Sequence, residues 1–181
     1  MKRLLFTLIA LMLFLTSNAQ EKPIVSEEKN VIKVNSLSLL VGTGSIFYER
    51  KINESSSAQL GAAYLSYKIN DTRFTGLILT PEYRFYVKKN AIDGFYVAPY
   101  FRYQRYSLEA KDNSKATYSA IGGGAILGRQ WIFSSGFTLD FFFGENYSKG
   151  SLDLTSGTDS FNTNSLEGFR PRIGLALGFA F

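Results

Sequence analysis

The stretch from Phe169 to Phe181 constrains the fold more than any other part of the chain. One parity carries Phe169, Ile173, Leu175, Leu177, Phe179 and Phe181; the other carries Arg170, Arg172, Gly174, Ala176, Gly178 and Ala180. A period of two sustained over that length specifies a β-strand with two unlike faces. In a soluble sandwich the hidden face is bulky and apolar, and the solvent face is charged. Here the face opposite the bulky residues is glycine and alanine, with two arginines at one end. That combination fits a narrow lumen lined by small side chains, with large apolar side chains turned to lipid.

The alternation recurs along the chain. Leu77, Leu79, Pro81, Tyr83, Phe85 and Val87 oppose Gly76, Ile78, Thr80, Glu82, Arg84 and Tyr86. Val97–Gln104, Ile121–Gly128 and Phe137–Gly144 repeat it, and shorter, less regular matches fall at Ile32–Val41, Ser45–Ile52 and Ser57–Lys68. The expected fold is therefore all-β, an eight-stranded antiparallel up-and-down transmembrane barrel. The connections agree with that strand count. Short inward turns are expected at Asn53–Ser56, Lys88–Asp93 and Ser134–Ser135, and outward loops at Gly42–Gly44, Ile69–Arg73, Ala110–Lys115 and Lys149–Glu167. Such barrels have short periplasmic turns and longer external loops. Pro81 and Pro99 forfeit ladder donors and are expected at bulges. Arg50, Arg129 and Glu145 fall on the lipid parity. Arg50 and Arg129 are expected to snorkel at periplasmic strand ends, and Glu145 to mark a bulge near the external rim.

The opening residues read as an export signal. Met1-Lys2-Arg3 is basic, Leu4 to Thr16 is an apolar run, and Ser17-Asn18-Ala19 supplies small residues before Gln20. The run falls short of the ~20 residues that span a bilayer, so a signal peptide cleaved near Ala19 is expected. The organisation is then residues 1–19 signal, 20–31 a periplasmic segment and 32–181 the barrel. Without Lys2 and Arg3 the net charge of +5 falls to +3, too weak and scattered to argue for nucleic acid. The chain has no cysteine, which accords with an oxidising destination.

Several segments resemble the small eight-stranded outer-membrane proteins of Gram-negative bacteria, of the OmpX and OmpA-transmembrane type. They are Phe47-Tyr48-Glu49-Arg50, Thr80-Pro81-Glu82-Tyr83-Arg84-Phe85-Tyr86, Ala98-Pro99-Tyr100-Phe101 and Gly174–Phe181. More closely, the chain is similar to a family of such barrels that follow a signal ending in Asn-Ala-Gln and carry no assigned activity. The resemblance covers Val34 to Phe181. It implies a bacterial outer-membrane location and insertion by the barrel-assembly machinery, which reads the terminal aromatic signal represented here by Phe179 and Phe181.

The chain has no histidine. Outer-membrane barrel lipases, acyltransferases and proteases rely on histidine as general base or orienter, so those mechanisms have no base here. No catalytic residues, cofactor or metal ligands are expected. Gly122-Gly123-Gly124 with Gly128 lies inside a strand, without the helix N-terminus of a phosphate loop, and Asp153 and Asp159 are too sparse for calcium. Trp131, Phe133, Tyr83, Phe85 and Tyr103 read as interfacial girdle residues rather than ligand stackers.

One constellation remains. Glu49, Glu82, Arg84, Arg102, Asp140, Arg170 and Arg172 share the inward parity of five strands. An eight-stranded barrel is just wide enough for its side chains to fill it, so these charges are expected to form a structural plug. The expected function is a structural or surface-interaction role without catalysis, with outer-membrane lipid around the barrel and an extracellular ligand at the loops as a candidate partner. The alternatives are a narrow channel or small-ligand carrier, and a soluble lipocalin-like periplasmic binding barrel.

Overall fold

The computed structural model describes residues 28–69, 72–88, 90–110, 114–157 and 167–181. The expected signal peptide and residues 20–27 lie outside the described residues. Among those described, eight strands close into one antiparallel barrel: β1 (Asn30–Asn35), β2 (Thr43–Asn53), β3 (Ser56–Ile69), β4 (Thr72–Tyr86), β5 (Gly94–Glu109), β6 (Lys115–Ile132), β7 (Phe137–Ser156) and β8 (Gly168–Ala180). Each strand pairs with its chain neighbours, and β8 closes on β1. The Phe181 main chain extends the seam, donating to Asn30 O at 2.9 Å and accepting from Asn30 N at 2.9 Å.

The closure is strongly staggered. A row of paired residues leaves β1 at Val31 and runs through Glu49, Gln59, Glu82, Tyr100, Gly124 and Asn146 to Arg170 on β8. Val31 itself pairs with Ala180, so the seam steps by ten residues, from 170 to 180. Such a stagger requires tilted strands. Their alternation then sorts side chains between lumen and exterior. Ile32, Ile46, Leu60, Leu77, Phe101, Leu127, Phe143 and Ile173 stand exposed on the outside. The same barrel buries Lys33, Glu49, Glu82, Arg84, Asp140 and Arg172 within.

The wall is uneven in height. Pairing ends at Val34–Ile46 between β1 and β2 and at Gly168–Ser148 between β8 and β7. On the other side it continues to Arg73–Glu109 between β4 and β5 and to Lys115–Ser156 between β6 and β7. In this tall portion the alternation changes sign. Lys68, Arg73, Arg105, Lys115 and Lys149 lie on the outer parity, while Leu65, Ile78, Tyr106, Leu108, Ala116, Tyr118 and Ala120 form a buried apolar cluster inside.

That reversal explains one correction. Lys149–Ser156, expected as loop, is strand: its outer parity is Lys149, Ser151, Asp153 and Thr155, a pattern for water rather than lipid. The first strand is also shorter than the expected Ile32–Val41. It stops at Asn35 and gives way to a helical turn, α1 (Ser36–Leu39). Serine and leucine alternate there as in a strand, but the serine hydroxyls bond to the backbone. Ser38 Oγ donates to Asn35 O at 2.8 Å and Ser36 Oγ to Leu175 O at 2.8 Å. Such bonds compete with ladder pairing.

The expected bulges are absent at their three positions. β4 and β5 keep one register past Pro81 and Pro99, with Leu79 opposite Tyr103, Glu82 opposite Tyr100 and Phe85 opposite Val97. Both prolines point outward, and the strands pass them without shifting. Glu145 pairs in register with Ala125 on one side and Pro171 on the other. Its carboxylate is exposed on the outer face beside Tyr147 and Phe169.

Candidate functional site

The lower lumen, at the end that carries the tight turns, is built from side chains of all eight strands. Lys33 of β1 reaches Glu49 of β2 at 2.7 Å and Asp140 of β7 at 2.8 Å. Its ammonium also donates to Gln130 Oε1 on β6. Arg84 of β4 reaches Asp140 at 2.8 Å, Glu82 at 2.8 Å and Glu49 at 3.3 Å. Arg172 of β8 meets the other oxygen of Glu82 at 2.7 Å. Neutral donors complete the carboxylates: Ser57 and Tyr86 donate to Glu49 at 2.5 and 2.6 Å, Gln59 to Glu82 at 2.7 Å, and Tyr96 of β5 to Asp140 at 2.8 Å.

The ion pairs balance, with Lys33, Arg84 and Arg172 against Glu49, Glu82 and Asp140. Buried charges are tolerated when they are paired and their remaining hydrogen-bonding capacity is met. Arg84 meets that condition closely: fully buried, its guanidinium also lies 4.2 Å from the Tyr96 ring centroid. Arg172 lies 4.3 Å from the Tyr100 ring centroid and 5.1 Å from that of Phe142.

Below this charged layer the turn between β4 and β5 folds under the barrel. Ala91 and Ile92 are fully buried there. Ala91 N donates to Glu54 O at 2.9 Å, and Gln130 Nε2 donates to Ile92 O at 2.6 Å, tying the turn to the network above. Above the charges, Phe47 and Phe142 meet edge to face with centroids 6.3 Å apart. Bulky inward rings face glycine on the adjoining strand: Phe47 against Gly61, Tyr96 against Gly128, Tyr106 against Gly76 and Phe142 against Gly174. A methyl group added at any of these glycines would run into the facing ring.

Five of the seven inward charges expected from the sequence meet in one network: Glu49, Glu82, Arg84, Asp140 and Arg172. Arg102 and Arg170 do not join it. Arg102 stands higher on β5 with its buried Nε unpartnered, and Arg170 is exposed near the loop end of β8. Lys33 takes the place expected of them. Sequence reasoning passed over it because the irregular first strand had no assigned parity, although Ile32 and Val34 flank it as an outward pair. Tyr86 and Gln130 lack charge, and the apolar pair Ala91-Ile92 was hidden in a polar turn.

On the exterior, Trp131, Phe133, Tyr83 and Phe85 lie toward the turn end and Tyr103 toward the loop end. Arg129 stacks between two of the aromatic residues there, 4.5 Å from the Phe95 ring centroid and 4.9 Å from that of Trp131. Arg50 is exposed on the same outer face. Phe179 and Phe181 are also outward and exposed. Among the described residues, no three potential metal-ligating side chains converge.

An apolar exterior around a polar, filled interior in a closed eight-stranded meander defines the class: this is a β-barrel of the outer-membrane type. Residues 5–179 match the family described as "Protein of unknown function (DUF3575)", and the chain belongs to that family. The fold is similar to that of a major outer membrane protein from Thermus thermophilus, with TM-score 0.57 and 13% identity over 86% of this chain and 100% of that one. CarO of Acinetobacter baumannii aligns with TM-score 0.47 and 14% identity over 88% of this chain and 100% of that one. The sequence has no match among curated proteins.

Proposed function

We propose that this protein is a closed barrel of the bacterial outer membrane that neither conducts nor catalyses, and that acts through its structure and the surface it displays. The observation that carries this reading is the filled lower lumen. A floor of Ala91 and Ile92, a charge-balanced layer and an aromatic layer leave the turn end occupied by side chains. The apolar exterior favours lipid over the soluble lipocalin-like alternative. Export by the first 19 residues, and assembly guided by Phe179 and Phe181, belong to the same proposal. It places the short turns in the periplasm and the tall wall outside.

The tall wall supports a role in surface interaction. Beyond Ser148 the β8-facing edge of β7 has no strand partner among the described residues, and Gly150 N donates to the Glu167 carboxylate at 3.4 Å. A sheet edge of this kind can accept an extended segment from another chain.

Planar-bilayer recording on the refolded full chain tests the proposal. No steady current is expected, and the protein should fractionate with outer membranes and show heat-modifiable gel mobility. A reproducible open conductance would instead select the narrow-channel alternative. Recovery in the soluble periplasmic fraction, without a mobility shift, would select the lipocalin-like one.

A further inference from the structure

The charged layer is balanced, but the lumen immediately above it is not. Arg102 projects inward from β5, and Arg170 and Arg172 from β8. Arg102 and Arg170 have no ion pair with any acid among the described residues. Arg172 is only 7% exposed and reaches Glu82 through Nη2 alone, leaving its buried Nη1 without a partner. Arg84 and Gln59 hold Glu82 through Oε1 and Arg172 through Oε2, so this carboxylate has nothing left for Arg102 or Arg170. Two guanidinium groups, Arg102 and Arg170, thus stand at this level of the lumen with no carboxylate partner among the described residues, beside an Arg172 whose Nη1 is still free to donate. Cations brought out of bulk water without a counter-charge are costly, and an anion relieves the cost.

The three groups stand near one another: Arg172 lies 4.3 Å from the ring centroid of Tyr100, the inward neighbour of Arg102 on β5, and Arg170 is the next inward residue above Arg172 on β8. Arg102 and Arg170 both act electrostatically on Tyr106, and Arg102 and Arg172 both act on Tyr100. Arg102 and Arg172 also repel one another. Arg170 is exposed on the low side of the rim, where an entrant from the loop end arrives first.

We propose that the lumen above the charged layer is a blind binding site for a small oxyanion, a carboxylate or a phosphate, held by Arg102, Arg170 and Arg172. Guanidinium groups present forked donors that match either oxyanion in two-point contact. The closed floor makes this a site of capture rather than passage, and binding does not depend on what the outer surface contacts.

Isothermal titration calorimetry of the full chain, folded in uncharged detergent at low ionic strength, tests the assignment. The probes are inorganic phosphate in one series and succinate in another. Saturable binding is expected for at least one, and the stronger identifies the headgroup class. Arg170→Gln and Arg102→Gln should each weaken it about tenfold, as loss of a charge-assisted contact does. Neither residue belongs to the ion-paired layer, so both variants should fold. Arg50→Gln, on the outer face, should bind as the wild type does. Absence of saturable binding for both probes would overturn the proposal. So would equal weakening by Arg50→Gln and Arg170→Gln, which would mark a diffuse effect of net charge.

Discussion

The lower barrel and the tall wall above it are made by the same strands with opposite rules. Below, Glu49, Arg84 and Asp140 are inside and Ile46, Leu127 and Phe143 outside. Above, Leu65, Leu108 and Tyr118 are inside, and Lys68, Arg105 and Lys115 are on the outer parity. β7 shows the change within one strand: its outer parity runs Phe141, Phe143, Glu145, Tyr147, then Lys149, Ser151, Asp153. Backbone pairing continues unbroken through the change. The solvent each face meets, not the strand, decides which side chains it carries. Tyr64, Tyr103 and Tyr147 stand near the crossover, where amphipathic rings suit an interface.

The largest expected effect lies in the lower layer. Glu82→Ala removes the carboxylate shared by Arg84 and Arg172, and breaking a buried pair this way costs on the order of 3–5 kcal/mol. The urea or thermal unfolding midpoint should fall clearly, while Glu167→Ala at the rim should leave it nearly in place. An unchanged midpoint for Glu82→Ala would mean that the lower lumen is wet and that its charges are solvated independently.

A second, smaller effect sharpens the boundary between the regions. Phe143→Arg puts a cation on the lower exterior and should cost about 2–4 kcal/mol in vesicle-based unfolding. Thr117→Arg, on the same parity of the tall wall, should cost little. Equal penalties at the two positions would erase the proposed distinction between lipid and water.

The smallest effect separates the regions energetically. Ile78→Val trims the upper apolar cluster and should cost about 1 kcal/mol. Hydrogen exchange should quicken at the loop ends of β4 and β5, with the amides around Arg84 unaffected. Uniform quickening would show that the wall and the barrel open together.

Much of this architecture was legible because one rule, apolar outside and small or polar inside, holds over the lower strands. Phe169–Phe181 and Gly76–Val87 reveal both faces at once. The rule misled where its sign changed, so that Lys149–Ser156 read as loop, and where local hydroxyl bonds overrode alternation, at Ser36 and Ser38. The candidate site was read by charge and parity. That found Glu82 and Arg84, but not that Arg102 and Arg170 stand too high to join them, which depends on the stagger of the closed sheet. Ile92 was out of reach for a different reason: nothing in a turn's composition says that it folds back under the barrel.

The rings that lie against glycine carry a consequence for how this sequence can change over generations. Tyr96 with Gly128, or Phe142 with Gly174, behaves as a single locus: a side chain gained on one strand must be matched by a smaller one on its neighbour. The bore of the barrel is therefore inherited in couples, and drift at these positions should appear as paired exchanges rather than solitary ones.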